Sequence, residues 1–165
     1  MIELHGISKT FAQNGKNSTS ITPLDKVSLD IDDGKIIGLV GASGEGKSTL
    51  ANILCGICPP SRGKVYVDGV SLWSDKCKYD RKTGCAVQLI PQKPTLALDP
   101  TQRIGGAVKE ALVAFKNAKR GKDATQKTYE LFDVVGLERT LASRIPVHLS
   151  GGQAQRVVIA RALAT

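Results

Sequence analysis

Hydrophobic and polar residues follow one another along the chain in patterns that predict several strands. Residues 2–11 predict a first strand, and residues 27–31 and 64–67 alternate apolar and polar side chains, as half-buried strands do. Residues 35–40 form a nearly continuous apolar run, which predicts a buried parallel strand. Residues 85–90 predict a further buried strand. The strands therefore occupy the first half of the chain.

Other segments carry apolar residues at helical spacing. A helix is predicted at residues 48–55, and two more are predicted near residues 104–115 and 124–135. A last helix is predicted to begin near Ser150. Residues 12–23 are polar and rich in Gly, Asn, Ser and Thr, which predicts a loop.

Length and composition restrict the class of protein. The chain has 165 residues, which suits one domain, and its hydrophobic content of 41% is typical of a packed fold. No run approaches the ~20 apolar residues of a membrane span, and the first residues lack the layout of a signal peptide. We therefore expect a cytoplasmic protein.

The net charge of +8 allows two interpretations. One is an anionic partner such as nucleic acid, membrane headgroups or ATP, and the other is a solvated basic face. The basic residues gather in two clusters, namely Lys76, Lys78, Arg81 and Lys82, and then Lys116, Lys119, Arg120 and Lys122.

Cys55 and Cys58 have the spacing of half a zinc site or of a redox pair. A second such pair is missing, because Cys77 and Cys85 lie eight residues apart. Cys55 and Cys58 also fall where the helix after residue 48 should end. We therefore expect them to fill core space as reduced thiols.

Residues 41–48, Gly-Ala-Ser-Gly-Glu-Gly-Lys-Ser, fit the phosphate-loop pattern G-x-x-x-x-G-K-[ST], between a predicted strand and a predicted helix. The glycines allow backbone N–H groups to turn inward and form an anion nest, to which the helix adds its positive end. Lys47 places a cation on the β- and γ-phosphates, and the Ser48 hydroxyl can bind Mg²⁺. Glu45 lies close to the phosphates, although a side chain at this position can point outward.

A second glycine-rich site begins at residues 149–153, Leu-Ser-Gly-Gly-Gln, and continues as Ala-Gln-Arg-Val-Val-Ile-Ala-Arg-Ala-Leu. Together with the phosphate loop, this segment resembles the signature motif and signature helix of the ATP-binding-cassette (ABC) ATPases. The resemblance covers residues 2–164. A phosphate-loop GTPase or kinase would not explain residues 149–163.

The resemblance implies an α/β phosphate-loop NTPase fold. It implies N-terminal antiparallel strands, a partial parallel core sheet and a helical insert. The expected segments are a nucleotide-binding core at residues 1–92, a Gln-loop and helical subdomain at 93–148, and the signature motif and helix at 149–165.

The resemblance also implies roles for individual residues. Phe11 would stack on adenine, and Gln92 would contact Mg²⁺ and sense the γ-phosphate. The phosphate loop would bind ATP through Gly41, Ser43, Gly44, Gly46, Lys47, Ser48 and Thr49. Two subunits of such ATPases pack head to tail, so the signature would bind the partner's nucleotide through Ser150, Gly151, Gly152 and Gln153. His148, just before the signature, is expected to be structural or exposed.

Residues 92–100 resemble the Q-x-P-x-x-x-L-x-P stretch of the oligopeptide, dipeptide and nickel importer branch. Pro91 departs from that pattern, because relatives have an aromatic residue before the glutamine. The resemblance implies an ATPase subunit on the inner face of the membrane, with permease partners and with peptides or a chelated metal such as nickel as cargo.

The family's hydrophobic strand ending in Asp-Glu, which holds Mg²⁺ and activates water, is expected after the signature helix, and its switch histidine later still. Neither occurs in these 165 residues. We therefore expect a truncated subunit whose isolated hydrolysis is weak or absent. The alternatives are a non-catalytic nucleotide-binding fragment, or a soluble ABC protein that acts on nucleic acid or ribosomes.

Overall fold

The computed structural model describes residues 1–12 and 20–165, which divide into two compact units, Met1–Gln88 and Leu89–Thr165. Each unit has its own hydrophobic core. The three functional segments expected from the sequence, with breaks after residues 92 and 148, remain a prediction.

The first unit contains an antiparallel sheet with the strand order β2-β1-β3-β4. Its strands are β1 (Ile2–Ala12), β2 (Ser20–Ile31), β3 (Arg62–Val67) and β4 (Val70–Ser71). Leu4 on β1 lies opposite Leu29 on β2 and Val65 on β3. The predicted strands at residues 2–11, 27–31 and 64–67 are therefore confirmed.

Helix α1 (Lys47–Leu54) contributes its buried residues Leu50 and Ile53 to the core that also contains Leu4 and Val65. This confirms the helix predicted after the phosphate loop. A short helix, α2 (Arg81–Gly84), begins where the side chain of Asp80 accepts a hydrogen bond from the backbone N–H of Lys82.

The second unit is helical. It comprises α3 (Ile104–Ala114), α4 (Lys122–Val134), α5 (Gly151–Leu163) and short 3-10 helices at Pro94–Ala97, Arg139–Ser143 and Pro146–His148. The apolar stripes of the three α-helices meet in one core, represented by Val108 on α3, Phe132 on α4 and Val157 on α5. The predicted helices in this half of the chain are confirmed.

The prediction of buried strands at residues 35–40 and 85–90 is wrong. Ile36 is 99% exposed and Val40 is 94% exposed, and the strand pairs among residues 1–12 and 20–165 are all antiparallel and include neither segment. A parallel strand needs hydrogen-bonded neighbours and cover on both faces, and this part of the chain offers neither to residues 36–40. The expected partial parallel core sheet is therefore absent from the described residues.

An N-cap interaction explains why the start of residues 85–90 forms a helical turn instead of the predicted strand. Asp80 caps α2, and the helical turn continues through backbone hydrogen bonds from Cys85 to Arg81 and from Val87 to Gly84. An N-cap carboxylate favours a helix start, and this short-range preference determines the structure where no sheet partner competes.

The prediction of a loop at residues 12–23 is wrong at both of its described ends. Ala12 pairs with Ser20, and Phe11 pairs with Ile21, so β1 and β2 extend into the predicted loop. The β-branched residues Ile21 and Thr22 favour this extended pairing over the polar composition of the segment. The rest of the predicted loop, residues 13–19, lies outside the described residues.

Candidate nucleotide-binding site

The phosphate loop forms an open cavity of about 420 Å³ at the start of α1. Gly44 and Gly46 both have positive φ angles, of 92° and 84°, which glycine adopts without steric cost. The cavity is lined by Ser43, Gly44, Gly46, Lys47, Ser48 and Thr49. Six of the seven residues expected to bind ATP in the loop therefore surround one cavity, and Gly41 is the exception.

The Lys47 ammonium is held inside the loop. Its Nζ donates hydrogen bonds to the carbonyl oxygens of Gly41, at 2.7 Å, and of Ala42. The cation therefore lies at the start of α1, where the helix end is already positive, and backbone carbonyls provide its local counter-charge. This position suits a group that must meet a phosphate anion.

The close packing of Gly46 explains why the loop cannot accept a larger residue there. A Cβ atom at this position would lie 2.4 Å from the carbonyl oxygen of Pro23 and 2.7 Å from Cδ2 of Leu24. Gly46 thus joins the loop to the second strand of the sheet as well as adopting a left-handed conformation.

Ser48 fits the expected Mg²⁺ ligand in the loop. Its hydroxyl is exposed on the first turn of α1 and lines the cavity. Mg²⁺ prefers oxygen ligands and commonly takes only one or two from the protein, with phosphates and water completing its octahedron. A single hydroxyl beside a phosphate cavity is therefore an adequate contribution from this unit.

Phe11, the expected adenine-stacking residue, is not among the residues that line the cavity. Its side chain lies near the end of β1, is 43% exposed, and has the Lys9 ammonium 5.0 Å from the ring centroid. An exposed aromatic ring can stack on a base, while the cation–π contact already occupies part of its surface. Its role remains a prediction.

The signature segment begins α5 with reciprocal hydrogen bonds. The Ser150 Oγ accepts a hydrogen bond from the Gln153 backbone N–H at 3.2 Å, and the Gln153 Oε1 accepts one from the Ser150 backbone N–H at 2.9 Å. This is a capping box. Gly151 and Gly152 are exposed, and a Cβ added to either would have no described atom outside its own helix within 4 Å. The helix end is therefore open to an approaching ligand.

Gln92 is an exposed residue two positions before the 3-10 helix Pro94–Ala97. The sequence motifs did not single out Arg161, which connects this helix to the signature helix. Arg161 on α5 donates a hydrogen bond from Nη1 to the carbonyl oxygen of Ala97 at 2.7 Å. An arginine facing outward from an otherwise apolar helix end was the available signal.

The cysteines and the residues of the two basic clusters are not among those that line the phosphate cavity. Cys55 and Cys58 are free thiols of intermediate burial, and burial raises the pKa of the Cys55 thiol. Zinc binding and disulfide exchange both need the thiolate, so this environment favours a packing role. The eight lysines and arginines of the two basic clusters are exposed. Among the described residues, no helix is both long and apolar enough to cross a membrane.

A glycine-rich loop that encloses the positive end of a helix, together with an internal lysine and a serine, defines a phosphate-loop nucleotide-binding protein. Comparison with known proteins identifies the family. The ABC transporter family model matches residues 24–165, and the chain belongs to this family of ATPases.

The relatives include import proteins. The chain is 42% identical over 142 residues to a putative peptide import ATP-binding protein of Brucella abortus, an alignment that covers 86% of this chain and 42% of the relative. It is 39% identical over 165 residues to the methionine import ATP-binding protein MetN 1 of Oceanobacillus iheyensis, covering 99% of this chain and 46% of that protein. The chain thus spans less than half the length of these relatives.

A solved structure supports the fold. The dimeric structure of the ABC transporter cassette MJ0796 superimposes with a TM-score of 0.82 at 31% identity. The match covers 99% of this chain and 69% of that one. The α/β phosphate-loop NTPase class expected from the sequence is therefore confirmed, although the parallel sheet is not formed by the described residues.

Proposed function

We propose that this chain is the nucleotide-binding part of an ABC importer ATPase and binds MgATP through residues 41–49. The cavity at the start of α1, which Lys47 lines and where its ammonium is held by the Gly41 carbonyl oxygen, is the observation that carries the proposal. Backbone N–H groups, a helix N-terminus and a lysine together neutralise a polyphosphate without protonating it.

Removal of the lysine tests the site. Lys47→Ala should abolish MgATP binding in a titration with a fluorescent ATP analogue, because the only side-chain cation among the described residues that line the cavity is lost. Lys109→Ala, which removes one positive charge from α3 in the other unit, is the matched control and should bind as the wild type does. Unchanged affinity of the Lys47→Ala variant would contradict the proposal.

The signature helix supports a second part of the proposal, which is an ATP-dependent head-to-tail dimer. The exposed Gly151 and Gly152 and the capped Ser150 present N–H groups and a hydroxyl to a partner subunit's nucleotide. The solved MJ0796 cassette is a dimer, which is consistent with this arrangement. Sedimentation of the chain with and without MgATP is the direct test.

The proposed cellular role is uptake of peptides. The relatives named above are peptide and methionine import proteins, and residues 92–100 resemble the peptide and nickel importer branch. These names favour a peptide or amino-acid cargo over chelated nickel. Gln92 and the 3-10 helix tied to Arg161 would transmit the nucleotide state to permease subunits. Co-purification of the intact protein with a permease from its source cells would test this role.

The 165 residues alone should hydrolyse ATP at or near background. They contain no hydrophobic strand that ends in Asp-Glu and no histidine after the signature helix. Hydrolysis needs a carboxylate at the metal and a group that orients water. Phosphate release that depends on Lys47 and equals that of intact ABC subunits would refute this expectation.

A further inference from the structure

The side chain of Glu45 is hydrogen-bonded back onto the phosphate loop and is not among the residues that line the cavity. Its Oε2 accepts a hydrogen bond from the Ala42 backbone N–H at 2.6 Å, while the cavity is lined by residues 43, 44 and 46–49. The Glu45 backbone N–H also donates to the Ala42 carbonyl oxygen, at 3.4 Å. Ala42 and Glu45 are therefore linked twice across the turn.

The peptide groups around Ala42 are held by opposite charges. The Glu45 carboxylate accepts from the Ala42 N–H, and the Lys47 ammonium donates to the Ala42 carbonyl oxygen. Hydrogen bonds to charged groups are shorter and stronger than neutral ones, so the two side chains fix this backbone segment together. Gly41 leaves room for the carboxylate, since a Cβ there would lie 2.5 Å from the Glu45 Oε2.

We propose that Glu45 is a positioning residue that holds the phosphate loop in its binding conformation before nucleotide binds. The inference rests on the proposed nucleotide binding at this loop. A loop that is already ordered loses less conformational entropy when the phosphates bind. Glycine has more accessible backbone conformations than other residues, so a brace between positions 42 and 45 would restrict the loop at Gly44.

The direction in which nucleotide affinity changes when Glu45 is substituted distinguishes this positioning role from electrostatic repulsion of the phosphates. A carboxylate near a polyphosphate repels it, so removal of the charge alone should strengthen nucleotide binding. If Glu45 braces the loop, removal of the acceptor should weaken binding in spite of the lost repulsion. A glutamine at this position retains an acceptor oxygen of the same reach and loses only the charge.

The test is a titration of the chain with a fluorescent ATP analogue and Mg²⁺. Glu45→Ala should weaken binding about fivefold to tenfold, the loss expected for a single hydrogen bond near solvent. Glu45→Gln should bind within about twofold of the wild type, because the acceptor remains. Glu130→Ala is the matched control, since the exposed Glu130 carboxylate also accepts a hydrogen bond, from Gln126 on α4, and its loss should not affect affinity.

Two results would overturn the inference. Glu45→Ala that binds as tightly as the wild type, or more tightly, would mean that the carboxylate does not order the loop. An equal loss of nucleotide affinity in Glu45→Ala and Glu45→Gln would mean that the hydrogen-bond acceptor at this position does not order the loop. A wild-type chain that binds no nucleotide would refute the proposed function itself, which this set of variants separates from the role of Glu45.

Discussion

Ser150 and Gln153 each accept a hydrogen bond from the other's backbone N–H, so the signature motif caps its own helix. The Ser150 Oγ uses a lone pair for this bond and keeps its O–H group as a donor. The same hydroxyl can therefore stabilise α5 and still donate to an oxygen of a bound phosphate. The helix cap and the proposed phosphate contact therefore do not compete for the same group of Ser150.

The cap should have a measurable effect on stability. Ser150→Ala should lower the free energy of unfolding by about 1 kcal/mol, because the N–H of Gln153 loses its acceptor. Thermal unfolding followed by circular dichroism gives the change, and hydrogen exchange of the Gln153 amide locates it. Ser143→Ala, in the same unit, is the control, and a loss of equal size there would show that the cap is not responsible.

The two signature glycines should tolerate a methyl group structurally but not functionally. Gly152 lies in the first turn of α5 with nothing described within 4 Å of a Cβ, and alanine favours helices by about 1 kcal/mol over glycine. Gly152→Ala should therefore fold at least as stably as the wild type. If a partner's phosphate approaches this turn, the same variant should reduce MgATP-dependent dimerisation measured by sedimentation.

A result in which Gly152→Ala dimerises as the wild type does would contradict the proposed contact in trans. Gly121→Ala is a poor comparison because Gly121 has a positive φ of 97°. Gly106→Ala is better matched, since Gly106 is also helical and an added Cβ there would meet only the Gln102 side chain, at 3.6 Å or more.

Local sequence patterns predicted the elements whose partners lie nearby. The stripe of apolar residues on α3, including Val108 and Leu112, predicted a helix, and the motif at residues 41–48 predicted the phosphate loop that the structure contains. These features depend on short-range periodicity and on glycine conformations, which a single sequence records directly.

The wrong predictions concern segments whose structural partners cannot be specified by the local pattern of hydrophobic and polar residues. The run at residues 35–40 is as apolar as a buried strand, yet Ile36 is 99% exposed, because a strand forms only beside another strand. The contact of Glu45 with Ala42 could not be predicted, because it depends on the backbone geometry of the loop. For Arg161 the sequence marked an arginine in an apolar helix end, but its partner, the Ala97 carbonyl oxygen, again depends on backbone geometry.

The end of the phosphate-loop helix is held by two aromatic side chains. Trp73 donates from Nε1 to the carbonyl oxygen of Ile53 at 3.0 Å, and the Tyr79 hydroxyl donates to that of Leu54 at 3.1 Å. Tyr79→Phe should lower the free energy of unfolding of the first unit by about 1 kcal/mol, the usual net value of such a bond. Urea unfolding followed by the fluorescence of Trp73, the single tryptophan, measures it.

Tyr66→Phe is the control for this change, because no hydrogen bond joins the Tyr66 hydroxyl to any residue of the described ranges. It should unfold at the wild-type urea concentration. Equal effects of the two substitutions would show that the Tyr79 hydroxyl does not stabilise the end of α1.

Acid should weaken the link between α4 and the following 3-10 helix. The Arg139 side chain donates to the Asp133 carboxylate, with Nε at 3.1 Å from Oδ1, and this hydrogen bond lowers the pKa of Asp133. A lowered pKa stabilises the fold above the unfolded pKa of about 4, and the stabilisation is lost as pH falls through the folded pKa. At about pH 7 the melting temperature of the wild type should therefore be higher than that of Asp133→Asn. The difference between the two melting temperatures should shrink below about pH 4.

Melting curves by circular dichroism across that range provide the measurement. Other carboxylates titrate in both proteins and cancel in the comparison. A melting difference that is constant from neutral to acidic pH would show that the charge of Asp133 does not stabilise the helix junction.

Gly46 and Gly44 offer a matched pair that separates backbone strain from packing. Both have left-handed φ angles, of 84° and 92°, so alanine at either site should cost about 1–2 kcal/mol. Only at Gly46 would the added Cβ also meet the Pro23 carbonyl oxygen, at 2.4 Å, and Leu24. Because the Pro23 oxygen belongs to the backbone of a paired strand, it cannot move aside easily.

Gly46→Ala should therefore destabilise the first unit by about 1–3 kcal/mol more than Gly44→Ala in urea unfolding. Equal losses of unfolding free energy in the two variants would mean that β2 shifts to make room for the methyl group. The contact between the loop and the sheet would then not fix the loop.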